Sequence, residues 1–91
     1  MIRVFVVYEE EPSPERYAQH LELCERVPGA TFRHGKVVRT LFGPELHYYA
    51  EFEFPDMESF QSVSSTEEFR ATGKDAAGMG YPHNVYVAEI E

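Results

Sequence analysis

His20 is the residue in this sequence best suited to moving a proton, because imidazole exchanges one near neutral pH. Tyr17, His20, Leu21, Cys24 and Val27 recur at i, i+3, i+4, i+7 and i+10. That spacing is one face of an amphipathic helix. The ring therefore belongs on an inward stripe, where a neutral imidazole is cheaper to bury than Lys or Glu. Tyr17, one turn away, can orient the ring or hydrogen-bond a ligand, or be a core aromatic with a satisfied hydroxyl. Asp75, at the end of a second helical region, can face His20 and fix its tautomer as an acid does in a dyad. As a lone acid it is also an ordinary surface residue, and His20 is equally well a core histidine holding a backbone carbonyl.

Other groups carry weaker signals. Glu51 follows Tyr49 on the mixed face of a strand. A buried carboxyl there can act as acid or base, or bind a ligand; pairing with Arg3 or Arg33 across a dimer interface is the structural alternative. His34, His47 and His83 lie on or beside strands, but no His-x-His or His-x3-His pair occurs, so no metal site is expected. Cys24 is the one cysteine. No internal disulfide is possible, and its place on the apolar stripe predicts a buried, structural thiol. Gly78-Met79-Gly80 follows a helix instead of opening one, so it is not a phosphate loop; it is a lid over a pocket or a plain connection.

The elements that position these residues follow from period and turn signals. Residues 2–8 form a first strand, with Ile2, Val4, Val6 and Tyr8 on one face and Phe5 and Val7 on the other. A strand apolar on both faces is covered on both. Residues 15–30 read as a helix and its closing turn. Ser13 is the expected N-cap, Pro14 the first helical residue and Pro28-Gly29 the stop. Residues 31–40 are a second strand with Gly35 as a possible bulge. Gly43-Pro44 turns the chain into an antiparallel third strand, 47–54. Tyr48, Ala50, Phe52 and Phe54 share one of its faces; His47, Tyr49, Glu51 and Glu53 share the other. Asp56 caps a second helical region with Met57, Phe60 and Val63 inward. Ser65 with Glu68 fits a capping box that restarts it, with Phe69, Thr72 and Ala76 inward. Residues 77–84 read as a loop and 85–90 as the last strand.

The 91 residues make one domain, 1–91. The order β-α-β-β-α-β is the α+β, ferredoxin-like arrangement: one antiparallel four-stranded sheet with the helices on one face. The other face still presents Phe5, Val7 and Tyr49, and an apolar face of that kind marks an interface. A twofold homodimer, sheet against sheet, closes it most simply. Sixteen acids against eight bases give a net charge of −8. That argues against nucleic acid and anionic membranes as partners. No apolar run approaches a membrane helix, and the first residues form a strand pattern instead of a leader, so a reducing cytoplasm is expected.

Three stretches resemble the EthD-like family of the dimeric α/β-barrel superfamily. The first strand and its acidic loop are similar to the family's opening. His20, followed by Pro28-Gly29, matches the spacing of its first helix. Tyr49-Ala50-Glu51-Phe52-Glu53-Phe54, with Asp56 to Phe60 after it, resembles its third strand. Near the end, the segment from Phe69 to Asp75 and Tyr81 resemble a region where members place an acid and then an aromatic. Many members read His-x-Pro-Leu where this chain has His20-Leu21-Glu22-Leu23, so its helix should run regularly through His20. The resemblance implies a small homodimer with a pocket between helices and sheet in each subunit, often working without metal or cofactor.

Two readings follow. One is a cofactor-independent enzyme that moves a proton on an apolar, oxygenated molecule: a lactone, a phenol or a polyketide fragment. Its candidate residues are His20 and Asp75 for catalysis, with Tyr17, Tyr48, Glu51, Phe52 and Tyr81 around the ligand. The other is a non-catalytic dimer binding a small molecule or a partner. A pocket joining His20 to a second polar group favours the first, and a pocket filled by Tyr17, Tyr48 and Phe52 favours the second.

Overall fold

The computed structural model describes residues 1–91. Its elements are β1 (Ile2–Tyr8), α1 (Pro14–Glu25), β2 (Thr31–Lys36), β3 (Tyr48–Phe54), α2 (Met57–Ser64), α3 (Glu67–Met79) and β4 (His83–Glu89). The strands form one sheet in the order β2-β3-β1-β4, every neighbouring pair antiparallel. This is the βαββαβ ferredoxin-like arrangement, with its second helical leg in two pieces. No helix is long and apolar enough to cross a membrane.

The two-residue period of β1 and β3 divides the sheet into two faces. Ile2, Val4, Phe52 and Phe54 meet Cys24 and Val27 of the first helical leg in the main core. Tyr8, Tyr17 and Tyr48 form a second cluster at one end. Residues opposite each other on paired strands share a face. Val85 and Val87, opposite Val6 and Val4, therefore belong to the helix side. The helices stop short of them, and they are 55% and 53% exposed on the edge strand β4.

Several sequence expectations need correction. Ser13 stands at the N-cap of α1, but its side chain makes no cap bond. Asp56 does cap α2, its Oδ1 accepting from the Ser59 N–H at 2.8 Å. The cap of α3 is Thr66, which accepts from the Phe69 N–H; Ser65 already closes α2 with αR backbone, so no Ser65–Glu68 box forms. Met57 is exposed instead of inward. α3 runs through Gly78 and ends on Gly80 in a left-handed cap, φ 78°. Gly78 and Met79 are thus the end of a helix, not a lid. β2 ends at Lys36 because β3 begins opposite it at Tyr48. The next residue, His47, gives its N–H to Tyr8 and accepts from Val37. Gly35 keeps the ladder in register opposite Tyr49, so there is no bulge. Residues 37–47 form a long loop in which Val38, Leu41 and Phe42 are exposed. β4 starts at His83, where Tyr8 offers it a partner.

Candidate functional site

α1 and α3 lie against each other, and their junction holds His20. The helix runs unbroken through this position, so the stripe read from the sequence turns the ring beneath the helices, where it is 7% exposed. Its Nδ1 is 2.9 Å from Asp75 Oδ2. An ionised carboxylate can only accept, so the ring proton is on Nδ1 and Nε2 keeps its lone pair. Arg16 grips the same carboxylate with two bonds, Nη2 to Oδ1 at 2.7 Å and Nη1 to Oδ2 at 3.0 Å. The guanidinium is the main reason the Asp75 carboxyl titrates below the usual carboxylate range, with the His20 bond adding to it. Burial lowers the imidazole pKa, against the opposing pull of Asp75. The ring is therefore neutral at pH 7, the form that accepts a proton.

His20 lines a cavity of about 150 Å³ between the helices and the sheet. A void of about this volume takes one benzene-sized ring. Most of its wall is apolar, with Val4, Val6, Phe52 and Phe69 among the lining residues. The polar groups on it are few. Cys24 Sγ lies 3.5 Å from His20 Nε2, and burial pushes its thiol up to about 12. The Thr72 hydroxyl donates to the Phe69 carbonyl at 2.6 Å. His83 Nδ1 is 2.8 Å from the Tyr81 carbonyl, so it carries the ring proton there. Tyr8 is 1% exposed and stacks its ring on His83, yet its buried hydroxyl has no hydrogen-bond partner.

Of the predicted ligand-contacting residues, only one converges on this cavity. Phe52 lines it. Tyr17 and Tyr48 stack on each other at 4.7 Å beside a separate open groove that also includes Glu11 and Lys36; the Tyr48 hydroxyl donates to Glu11 at 3.0 Å. The Tyr81 hydroxyl accepts from the Ser13 N–H at 3.1 Å, tying the start of α1 to the start of β4. Glu51 is on the opposite face of the sheet from His20. It accepts from Tyr49 at 2.6 Å and from Arg33 at 2.9 Å, with Arg3 Nε 3.3 Å away. The arginines expected to reach it from a second copy do so within the same chain. Tyr8 and His83 were missed as site residues. The two-residue period already put Tyr8 on the helix-facing side of β1, where it is the only polar-tipped residue, and that was the available signal. No three His, Cys, Asp or Glu side chains converge as metal ligands.

A four-stranded antiparallel sheet with helices on one face, and a cavity between the two layers, places the chain in the ferredoxin-like α+β class. Within it, the whole chain superposes on an ethyl tert-butyl ether D (EthD) family protein from Bacillus halodurans. The TM-score is 0.83 and the identity 23%, over 100% of this chain and 99% of the other. A dimeric ferredoxin-like protein of unknown function from Jannaschia sp. follows the same path, with a TM-score of 0.78 and 18% identity over 98% of both chains. So does a hydroxynitrile lyase from Passiflora edulis, with a TM-score of 0.78 and 13% identity over 99% and 93%. No family model matches the sequence, and no curated protein matches it. The EthD-like resemblance read from the sequence thus extends to the fold of the entire chain.

Proposed function

We propose that the protein is a homodimer that binds a small, apolar, oxygenated organic molecule and moves a proton on it with its own side chains. The observation that carries this reading is a base with a substrate-sized space in front of it. His20 borders the cavity, and Asp75 holds its Nδ1 at 2.9 Å. Asp75 fixes the tautomer and steadies the imidazolium that forms when Nε2 takes a proton. Arg16 holds Asp75 in place. The cavity volume suits a single-ring lactone or phenol; a multi-ring polyketide exceeds it. That the Passiflora lyase uses this fold supports an enzyme reading.

The dimer reading is supported by the uncovered sheet face. Phe5 packs on Tyr86 at 5.3 Å and Tyr49 at 6.3 Å there, an aromatic patch with no layer above it. The Jannaschia protein's dimeric state points the same way.

A panel of single-ring lactones, phenols and ethers, screened for thermal stabilisation and then for deuterium uptake in D2O, tests the proposal. Exchange should fall by about 10²–10⁴ in His20→Gln and also drop in Asp75→Asn. Binding without exchange would instead favour a non-catalytic binding dimer. Cys24 supports that second reading, since its sulfur already lies beside Nε2.

A further inference from the structure

We infer that the Tyr8 hydroxyl is the hydrogen-bond donor that recognises a ligand's carbonyl oxygen, so that the site takes small enolisable carbonyl compounds. This rests on the proposed role of His20 as base.

The argument is an inventory of donors. His20 Nδ1–H is spent on Asp75, the Thr72 hydroxyl on Phe69 O and His83 Nδ1–H on Tyr81 O. The Cys24 thiol is a weak donor already beside His20 Nε2. Among the side chains lining the cavity, one strong donor remains unspent, the buried and unpartnered hydroxyl of Tyr8. A buried hydroxyl without a partner costs stability; the Tyr17 hydroxyl shares that state but borders the separate groove, which leaves Tyr8 as the one on this cavity. Tyr8 and His20 line the same cavity, and the Tyr17 ring packs on both, 5.6 Å from Tyr8 and 6.2 Å from His20. Burial pushes its pKa up to about 12. It therefore stays a neutral donor throughout the working range.

The two groups divide the work of enolisation. The C–H bond next to the carbonyl breaks and its proton goes to His20 Nε2. The electron pair becomes the carbon–carbon double bond of an enolate, and the oxygen takes the negative charge. Tyr8 O–H donates to that oxygen, and its hydrogen bond strengthens as the charge develops. Return of the proton to a different, conjugated carbon shifts a double bond and restores His20. No electrons leave or enter the substrate.

The test compares two probes by 19F NMR, 4-fluorophenol and fluorobenzene. They share a ring that fits the cavity, and only the first has an oxygen on an unsaturated carbon, as an enol does. The wild-type protein should bind 4-fluorophenol about tenfold or more tightly than fluorobenzene. Tyr8→Phe should lose that margin, keep its affinity for fluorobenzene, and melt at the same or a higher temperature because an unsatisfied hydroxyl is gone. A margin that survives in Tyr8→Phe overturns the inference. If it then disappears in His20→Gln, the reading of His20 stands without it. Failure of both probes to bind the wild-type protein overturns the inference and the site together. A crystal structure of the wild-type 4-fluorophenol complex reads the geometry directly: an oxygen within hydrogen-bond distance of Tyr8 Oη supports the inference, and one turned away from it overturns it.

Discussion

His20 is 7% exposed and bonded to a carboxylate, and the two effects pull its pKa in opposite directions. Burial wins and the value is lowered. The unfolded chain then binds a proton more readily than the folded one. The stability tied to this ring is complete above the unfolded value of about 6.5 and is lost as pH falls through the folded value. Asp75, also lowered, loses its contribution only further down, below about 3.9. Thermal melts from about pH 7.5 to 5 should show a declining Tm in the wild type and a flatter profile in His20→Gln; parallel profiles would count against the assignment. Cys24, 3% exposed and held protonated by burial, should react slowly with thiol reagents in the native state. Rapid labelling would show an open cavity wall. At this scale the sequence was half legible. The helical period predicted the inward turn of His20, and the type of Asp75 suggested a partner. Arg16 could not be read as the clamp on Asp75, because their separation of 59 in sequence is bridged only by helix packing. Glu51 was legible in part for a related reason: strand alternation gave its face and Arg3 and Arg33 were its expected partners, but only the sheet order shows that they reach it from within the same chain.

Elements were legible where periodicity was strong and illegible at their ends. β1 and β3 came out with the faces their alternation predicted. The stop between α2 and α3 was expected one residue early, because Ser and Thr both cap, Ser somewhat the better, and the sequence offers Ser64, Ser65 and Thr66 in a row. The backbone decides: Thr66 is extended, with φ −75° and ψ 154°, while Ser65 is still helical. Thr66→Ala should therefore cost about 0.5–2 kcal/mol. For a domain of this size each kcal/mol lowers Tm by about 4–8 °C. Ser65→Ala should change Tm far less, and equal losses would contradict the cap assignment. β2 was read too long because Val37 and Val38 continue a strand-like pattern; a strand needs a partner, and β3 has none to give beyond Tyr48.

For the molecule as a whole, 15 of 91 residues are buried, a small core that leaves the Phe5, Tyr49 and Tyr86 face without a covering layer. Phe5→Glu should disrupt the proposed dimer, since it would place an unpaired charge in the interface. Sedimentation at micromolar concentration reads the result directly. A wild-type monomer would remove the dimer, and an unchanged dimer in Phe5→Glu would move the interface elsewhere.

The bare flank of β4 has a consequence for how the protein behaves in a tube. An outer strand with unpaired backbone groups, and valines the helices do not reach, is a template on which another copy can add. What holds copies apart is like charge, −8 on each chain at pH 7. Near the isoelectric point, about 4.9, that mutual repulsion vanishes, and this lies in the acid range, below about 6.5, where the stability tied to a neutral His20 declines. Handling this protein in acid buffer therefore removes its colloidal protection while weakening its fold, and on heating turbidity should set in at a lower temperature there than at neutral pH.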